Sequence, residues 1–329
     1  MNEFQAMERA VELAWEARRI SPPNPWVGCV VLAPDGTVLG EGATAAPGGP
    51  HAEISALDSA GNRSRGSTLV STLEPCSHYG RTPPCTDAIV SAGVARVVTA
   101  IEDPDVQVSG KGIAALTEAG LSVEVGCASG LVADQLRPYL RHRQAGLPLV
   151  VLKLALTFDG RIAAPDGSSR WITGPEARAD VHQLRARSDA VLVGAGTVRA
   201  DDPELTVREA DGPDPIRVVL GDSDPVSRVE PAVHVSGPEV EILQKLANQG
   251  VLQLLIEGGA DVAGRFHRAG LVDRYVLYMA PALMGGDDAV PMLRGPGAAT
   301  LADAWRGRVV DVTRLGDDLR VTLEPKESS

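Results

Sequence analysis

Residues 67–101 read STLVSTLEPCSHYGRTPPCTDAIVSAGVARVVTAI. Positions 67–73 form an apolar run of strand length, 85–92 carry a helical pattern, and 95–101 are extended again. Strand, helix and strand in that order make a parallel crossover unit. The same alternation extends outward in both directions. Upstream, WVGCVVLA (26–33), the turn Pro34-Asp35-Gly36 and TVLGEGA (37–43) predict a hairpin, with a helix over 51–60. Downstream, 111–120 reads as helix, 121–126 as strand and 129–142 as helix. Near the start, Phe4, Met7, Val11, Ala14 and Trp15 recur at helical spacing, which predicts a helix burying that stripe.

A second α/β pattern begins after RHRQAGLPLV (141–150), where a polar helix end meets Gly146 and Pro148. LVVLKLALT (149–157) predicts a buried strand, and DAVLVG (189–194), IRVVL, VLQLLIE and RYVLYMA predict further ones. Helices are expected over 174–187 and near 238–248 and 261–269, the first opened by a capping box from Thr173 to Glu176. GRVVDVTRLGDDLRVTLE closes the chain as a hairpin, with Gly316-Asp317-Asp318 in its turn. At roughly 150 residues per domain, 329 residues make about two domains, here 1–146 and 147–329, both α/β.

Charge and composition exclude several functions. Asp and Glu number 43 against 31 Lys and Arg, a net charge of −12, and both halves are acidic. Phosphate-backbone binding needs a concentrated positive footprint, so nucleic acid is not expected as a partner. Aromatic residues are 3%, too few for a base-stacking platform. No apolar run reaches the length of a membrane span, so no membrane partner is expected either. The charged start is unlike a signal peptide, and a cytoplasmic location is expected. Four cysteines in that setting point to metal or chemistry rather than to disulfides.

Three of the ligand types zinc prefers lie at His51, Cys76 and Cys85. Glu53, two residues after His51, supplies a carboxylate beside them. Residues two apart converge only at a helix's first turn, where the predicted strand–helix junctions put them. Three ligands leave one tetrahedral position for a water, whose pKa zinc lowers to about 7. Glu53 would move the proton to a leaving amine, the logic of zinc deaminases. His78, between the cysteines, is a possible fourth ligand and would make the site a closed structural one. Cys29 and Cys127 read as inert small hydrophobes.

SPPNPWVGCVV, HAE, TLEPCSHYGRTPPC, AGVARVV, KLALTFDGRIA, SSRWITGPEARAD, LRARSDAVLVGAGTVRADDPELTVR, IEGGA and AGLVDRYVLYMAP together resemble the bifunctional deaminase–reductase family of riboflavin biosynthesis. The resemblance covers nearly the whole chain in order. It implies a cytidine-deaminase-like α/β/α domain followed by a dihydrofolate-reductase-like α/β domain. It implies zinc-dependent hydrolytic deamination of a diaminopyrimidinone bearing ribosylamino 5-phosphate, then reduction of the ribosyl group to ribityl with NADPH. His51, Cys76 and Cys85 match the zinc ligands and Glu53 the proton shuttle. Asn24, His78 and Arg81 match or neighbour deaminase substrate contacts.

In the second half, Ala155, Trp171, Thr197 and Asp201 match NADPH contacts, and Gly259-Ala260 the cofactor phosphate loop. Ser169, Arg185, Leu205, Arg208 and Glu257 match contacts to the phosphorylated sugar, and Lys153 is expected to orient that sugar for reaction. A homo-oligomer is also implied. From its residues alone the second half says less, since GAGTVR fails the dinucleotide fingerprint. Four departures from the family stand out. Gly42-Ala43-Thr44 replaces a histidine loop, and Gly221-Asp222 stands where Asp-Ser is common. Asp261 puts a carboxylate near the phosphate loop. The stretch 222–256 is short, as if a strand–helix portion were missing. The alternative is therefore a working deaminase with a degenerate, non-reducing C-terminal domain.

Overall fold

The computed structural model describes residues 1–80, 82–105 and 108–326. The chain divides into two compact units, Met1–Gly146 and Leu147–Ser329. The first contains α1 (Glu3–Ala17), β1 (Gly28–Leu32), β2 (Val38–Ala43), α2 (Ala52–Ala60), β3 (Thr68–Leu73) and α3 (Cys85–Ser91). It continues with β4 (Arg96–Ile101), α4 (Lys111–Glu118), β5 (Ser122–Val125), α5 (Ser129–Gln135) and α6 (Arg137–Ala145). Its sheet runs β2-β1-β3-β4-β5, with β1 antiparallel to both neighbours and β3, β4 and β5 parallel.

The register explains the layers. Cys29 pairs with Gly42, so those two share a face while Gly28 points to the other. A Cβ on Gly28 would lie 1.8 Å from the Ala10 carbonyl oxygen of α1, and one on Gly42 would lie 2.4 Å from the Ala52 carbonyl oxygen of α2. The two helices thus cover opposite faces at backbone contact distance. This close approach corrects the expected stripe on α1. Its buried side is Ala6, Met7, Ala10, Val11, Ala14 and Ala17, while Phe4 and Trp15 are 53% and 42% exposed. Rings have no room between a helix and a strand packed so tightly. The helix expected over 129–142 is two helices. It breaks at Leu136 (φ −88°, ψ 5°), and Pro138, which lacks an N–H, sits in the first turn of α6.

The second unit contains β6 (Leu149–Thr157), β7 (Arg161–Ala163), α7 (Pro175–Ala186), β8 (Ala190–Gly194), α8 (Ala195–Asp201), β9 (Ile216–Leu220) and β10 (Val233–Val235). It continues with α9 (Glu239–Asn248), β11 (Gln253–Ile256), α10 (Ala260–Arg268), β12 (Arg274–Ala280), β13 (Val290–Pro291), β14 (Gly307–Leu315) and β15 (Asp318–Pro325). The main sheet runs β10-β9-β8-β11-β6-β12-β15-β14. It is parallel from β10 to β12, and the terminal hairpin adds antiparallel. Central β6 feeds both faces: Val150, Leu152, Leu154 and Leu156 enter one core, Leu149 and Val151 the other.

Segment 222–256 contributes the three-residue strand β10, α9 and the central strand β11, and the sheet ends at β10. The expected capping box on α7 does not form. Gly174 is the N-cap, without a side-chain cap, and its N–H donates to Asp318 Oδ2 at 2.7 Å. Asp318 is not in the hairpin turn but opens β15 and is buried. A distant carboxylate thus takes the N-cap N–H, the part a glutamate plays in a capping box.

Candidate functional site

In the first unit, helix starts deliver the reactive side chains. His51 is the N-cap of α2, still in extended geometry (φ −75°, ψ 164°), and Glu53 lies in the first turn. Cys85 is the first residue of α3, and its N–H donates to Cys76 Sγ at 3.5 Å. The two sulfurs lie 3.5 and 3.3 Å from His51 Nδ1. All three candidate ligand atoms fall within 4.8 Å of one another. Among the described residues His78 is not part of this group, so a fourth protein ligand closing the site is not supplied. One nitrogen and two sulfurs with an open fourth position fit a catalytic zinc rather than a structural one.

The three candidate ligands and Glu53 perturb one another's titration. The hydrogen bond from Cys85, against the opposing effect of burial, holds the Cys76 thiol down at about 4, and Cys85 is pushed upward in return. His51 is raised, chiefly by its hydrogen bond to Cys76. Burial drives the Glu53 carboxyl up to about 7, the nearby His51 opposing it. Glu53 is only 4% exposed.

Two supports were not read from the sequence. Thr82 Oγ1 lies 3.5 Å from His51 Nε2, on the ring edge away from the sulfurs. Glu74 is buried and accepts four backbone N–H groups. Asp103 and Gly110 donate to Oε2 at 3.2 and 2.9 Å, and Gly112 and Ile113 to Oε1 at 2.8 and 3.2 Å. This anchors the segment Glu74-Pro75-Cys76 on the start of α4. Asn24 is half-buried in the turn ahead of β1, and its N–H donates to Ser21 O at 2.9 Å. His78 is half-buried between the cysteines, with Nδ1 buried and unpartnered. Arg81 lies outside the described residues. At the departure Gly42-Ala43-Thr44, Thr44 Oγ1 accepts the Val27 N–H at 3.0 Å, and Gly42 admits α2.

In the second unit, one cleft of about 890 Å³ collects Lys153, Ala155, Ser169, Trp171, Arg185, Thr197, Asp201, Leu205, Arg208, Glu257, Gly259 and Ala260. It opens near the carboxyl ends of β8 and β11, where parallel sheets bind ligands. Glu257, following β11, is 7% exposed at its side chain. Arg185 of α7 grips both its oxygens, at 2.6 and 2.9 Å, and Lys153 Nζ of β6 lies 3.6 Å away. Burial alone would raise the Glu257 carboxyl. The two cations outweigh it and hold the group at about 2.

Trp171 is 70% exposed, with the guanidinium groups of Arg178 and Arg170 centred 4.6 and 5.9 Å from its ring. Gly259 caps α10 with extended backbone (φ −69°, ψ −178°), leaving the first-turn N–H groups to an anion. Asp261, in that first turn, has a cation beside it: Arg294 Nη1 lies 3.7 Å away, and the Arg294 N–H donates to Ala260 O at 3.0 Å. Past β9, Ser223 follows Gly221-Asp222, and its hydroxyl donates to Glu230 at 2.6 Å. Arg228 and Arg294 line the cleft but carry no sequence signal, because a lone arginine in a loop has neither period nor motif.

Residues 148–321 match the RibD C-terminal domain family, and residues 2–101 match the cytidine and deoxycytidylate deaminase zinc-binding region. The riboflavin biosynthesis protein RibD of Mycobacterium tuberculosis is 41% identical, over 97% of this chain and 96% of that one. The chain belongs to the RibD family. RibD of Acinetobacter baumannii superposes with a TM-score of 0.92 at 37% identity, over 99% of both chains. A Thermotoga maritima structure described as a diaminohydroxyphosphoribosylaminopyrimidine deaminase/5-amino-6-(5-phosphoribosylamino)uracil reductase gives 0.89 at 33% identity, over 98% of this chain and 99% of that one. RibD is a bifunctional deaminase/reductase of riboflavin biosynthesis, with a zinc-binding deaminase domain and a reductase domain. The metal cluster and the cleft described above lie one in each unit.

Proposed function

We propose that this chain performs both reactions on one phosphorylated ribosylaminopyrimidine, deamination at His51–Glu53–Cys76–Cys85 and reduction in the Lys153–Glu257 cleft. The observation that carries the reading is the convergence of His51, Cys76 and Cys85 at ligand distance, with the buried carboxylate of Glu53 next to them. Zinc held there supplies a Lewis acid that activates water. Glu53 would carry a proton from the attacking water to the departing amine, so that the ring C–N bond would break, a C=O form and ammonia leave. Asn24, His78 and Arg81 are assigned to the pyrimidine and its phosphate.

In the second unit, bound NADPH supplies the hydride. With hydride so supplied to C1 of the ribosyl group, the bond from C1 to the ring oxygen would break and that oxygen would need a proton. Lys153 Nζ, 3.6 Å from the Glu257 carboxylate, would give that oxygen its proton. Arg185, Ser169, Leu205, Arg208 and Glu257 are assigned to the sugar phosphate. Ala155, Trp171, Thr197, Asp201, Gly259 and Ala260 are assigned to NADPH. All twelve lining one cleft favours an active reductase over a degenerate domain.

The domain limits follow the same division, 1–146 and 147–329. Among the described residues no helix is long and apolar enough to cross a membrane. A cytoplasmic site of action is proposed, where reduced thiols suit the four free cysteines. A homo-oligomer is proposed as well. The nine-residue edge strand β14 exposes Val309, Val310 and Val312, a liability that a second copy would cover.

Zinc removal tests the division of labour. Chelation is expected to stop deamination while leaving NADPH oxidation on already deaminated substrate intact. Loss of both activities together would contradict two independent sites.

A further inference from the structure

The segment Leu205–Arg208 lines the cleft of the second unit in a shape that local preference does not supply. It belongs to no helix or strand. Leu205 is 3% exposed and has φ 57°, in the left-handed region where the Cβ of an L-residue crowds the backbone. Contacts from elsewhere must therefore hold the segment. They act on its main chain. Arg185 Nη1 donates to Thr206 O at 3.2 Å, and the Val207 N–H donates to Asp214 Oδ1 at 2.7 Å, so both groups of the peptide between Thr206 and Val207 are engaged. The N–H of the next peptide, on Arg208, donates to His182 Nδ1 at 3.3 Å. His182 and Arg185 lie three residues apart on α7 and so share a face. His182 is buried and lines the cleft with Leu205 and Arg208.

We propose that His182 is a positioning residue for the reductase step: Nδ1, by accepting the Arg208 N–H, holds Leu205–Arg208 in the shape that presents this segment to the substrate. The proposal rests on the reading of this cleft as a reductase site. A ring nitrogen accepts only while it carries no proton, so the imidazole must be neutral with its proton on Nε2. Burial, joined by the Arg185 and Arg208 cations, pulls the His182 pKa below the ordinary histidine value, against the opposing pull of Glu209 and the Thr206 carbonyl. The acceptor therefore persists at neutral pH. Acid would add a proton to Nδ1, two N–H groups would face each other, and the hold would be lost. The sign follows from the lowered value: the hold is complete above the ordinary histidine value and fails as the pH falls through the lowered one.

Steady-state reduction of the deaminated substrate by the full-length protein, from about pH 5 to 8, tests this against His182→Leu and His182→Asn. Asparagine offers a side-chain oxygen in place of Nδ1 and does not titrate. His182→Leu leaves the Arg208 N–H without its acceptor, and KM for the deaminated substrate is expected to rise about 10-fold with kcat changing much less. His182→Asn should recover most of that loss, and its KM should rise less on the acid side than that of the unmodified protein. Deamination in the first unit should not move in either variant. Hydrogen exchange followed by mass spectrometry needs no turnover: the amides of 205–208 should exchange faster in His182→Leu and return towards the unmodified rate in His182→Asn. If His182→Leu does not fold, the acid-side comparison of His182→Asn decides alone, and an unchanged rise in KM overturns the proposal. So does a loss in His182→Asn as large as that in His182→Leu, or exchange at 205–208 that ignores both substitutions. If exchange follows expectation and the unmodified protein never oxidises NADPH, the reductase reading fails while the hold of His182 on the segment stands.

Discussion

Replacing Glu74 by alanine removes one carboxylate and leaves four backbone N–H groups without their acceptor. The bonds from Asp103 and Gly112 are buried, and those from Gly110 and Ile113 are partly so. A buried donor left unsatisfied costs about 1–3 kcal/mol, so the two buried ones alone cost about 2–6 kcal/mol. Water entering the space left by the side chain can serve the other two. Taking about 4 kcal/mol, and about 2–4 °C per kcal/mol for a unit of this size, the transition of the first unit should fall by about 8–16 °C. Thermal unfolding followed by circular dichroism measures this. Zinc content by elemental analysis provides a second readout, because Glu74 fixes the segment carrying Cys76. Glu74→Gln, which keeps one acceptor oxygen, should fall between the two proteins in both respects. A loss under about 1 kcal/mol with zinc fully retained would refute the claim that this carboxylate organises the loop.

Other expectations can be checked alongside. Glu53→Gln should retain zinc and NADPH-dependent reduction while lowering deamination by about 10²–10⁴-fold, seen in parallel single-turnover assays of the two steps. Arg185→Ala leaves the buried Glu257 carboxylate with Lys153 as its remaining cation and should cost up to about 3 kcal/mol in denaturant unfolding, with part recovered when Glu257→Gln is added. The pH dependence has a definite sign. Glu257 is held at about 2 against an ordinary 4.5, so the unfolded chain binds the proton more readily. Its contribution is complete above about pH 4.5 and is lost as the pH falls towards 2, and Glu257→Gln should flatten that limb of a stability profile.

Both α/β units and the metal cluster were legible in the sequence, for local reasons. Parallel strands are buried on both faces, so runs such as 149–157 and 189–194 stand out. His51, Cys76 and Cys85 are residue types with few other uses at such junctions. The misreadings came from tertiary contacts. Phe4 and Trp15 fit the apolar stripe, yet α1 packs on β1 through alanines because Gly28 admits its backbone. Thr173 fits a capping box, yet Asp318, 144 residues away in the chain, takes the Gly174 N–H. Glu74 could not be found, since its four partners lie 29 to 39 residues downstream. In the cleft, Arg185 and Glu257 have no separate signal. Their meaning is the ion pair that folding makes across 72 residues, and a resemblance was needed to single them out.

The most direct test of the whole account is to give purified, zinc-loaded protein the diaminopyrimidinone ribosyl phosphate, with and without NADPH, and to identify the products by mass spectrometry. Without NADPH, the account predicts exchange of one amino group for a carbonyl oxygen and nothing more. With NADPH, it predicts the same exchange followed by a gain of two hydrogens, matched one for one by NADPH oxidised. Deamination that stops there at every NADPH concentration would contradict the reductase assignment of the second unit.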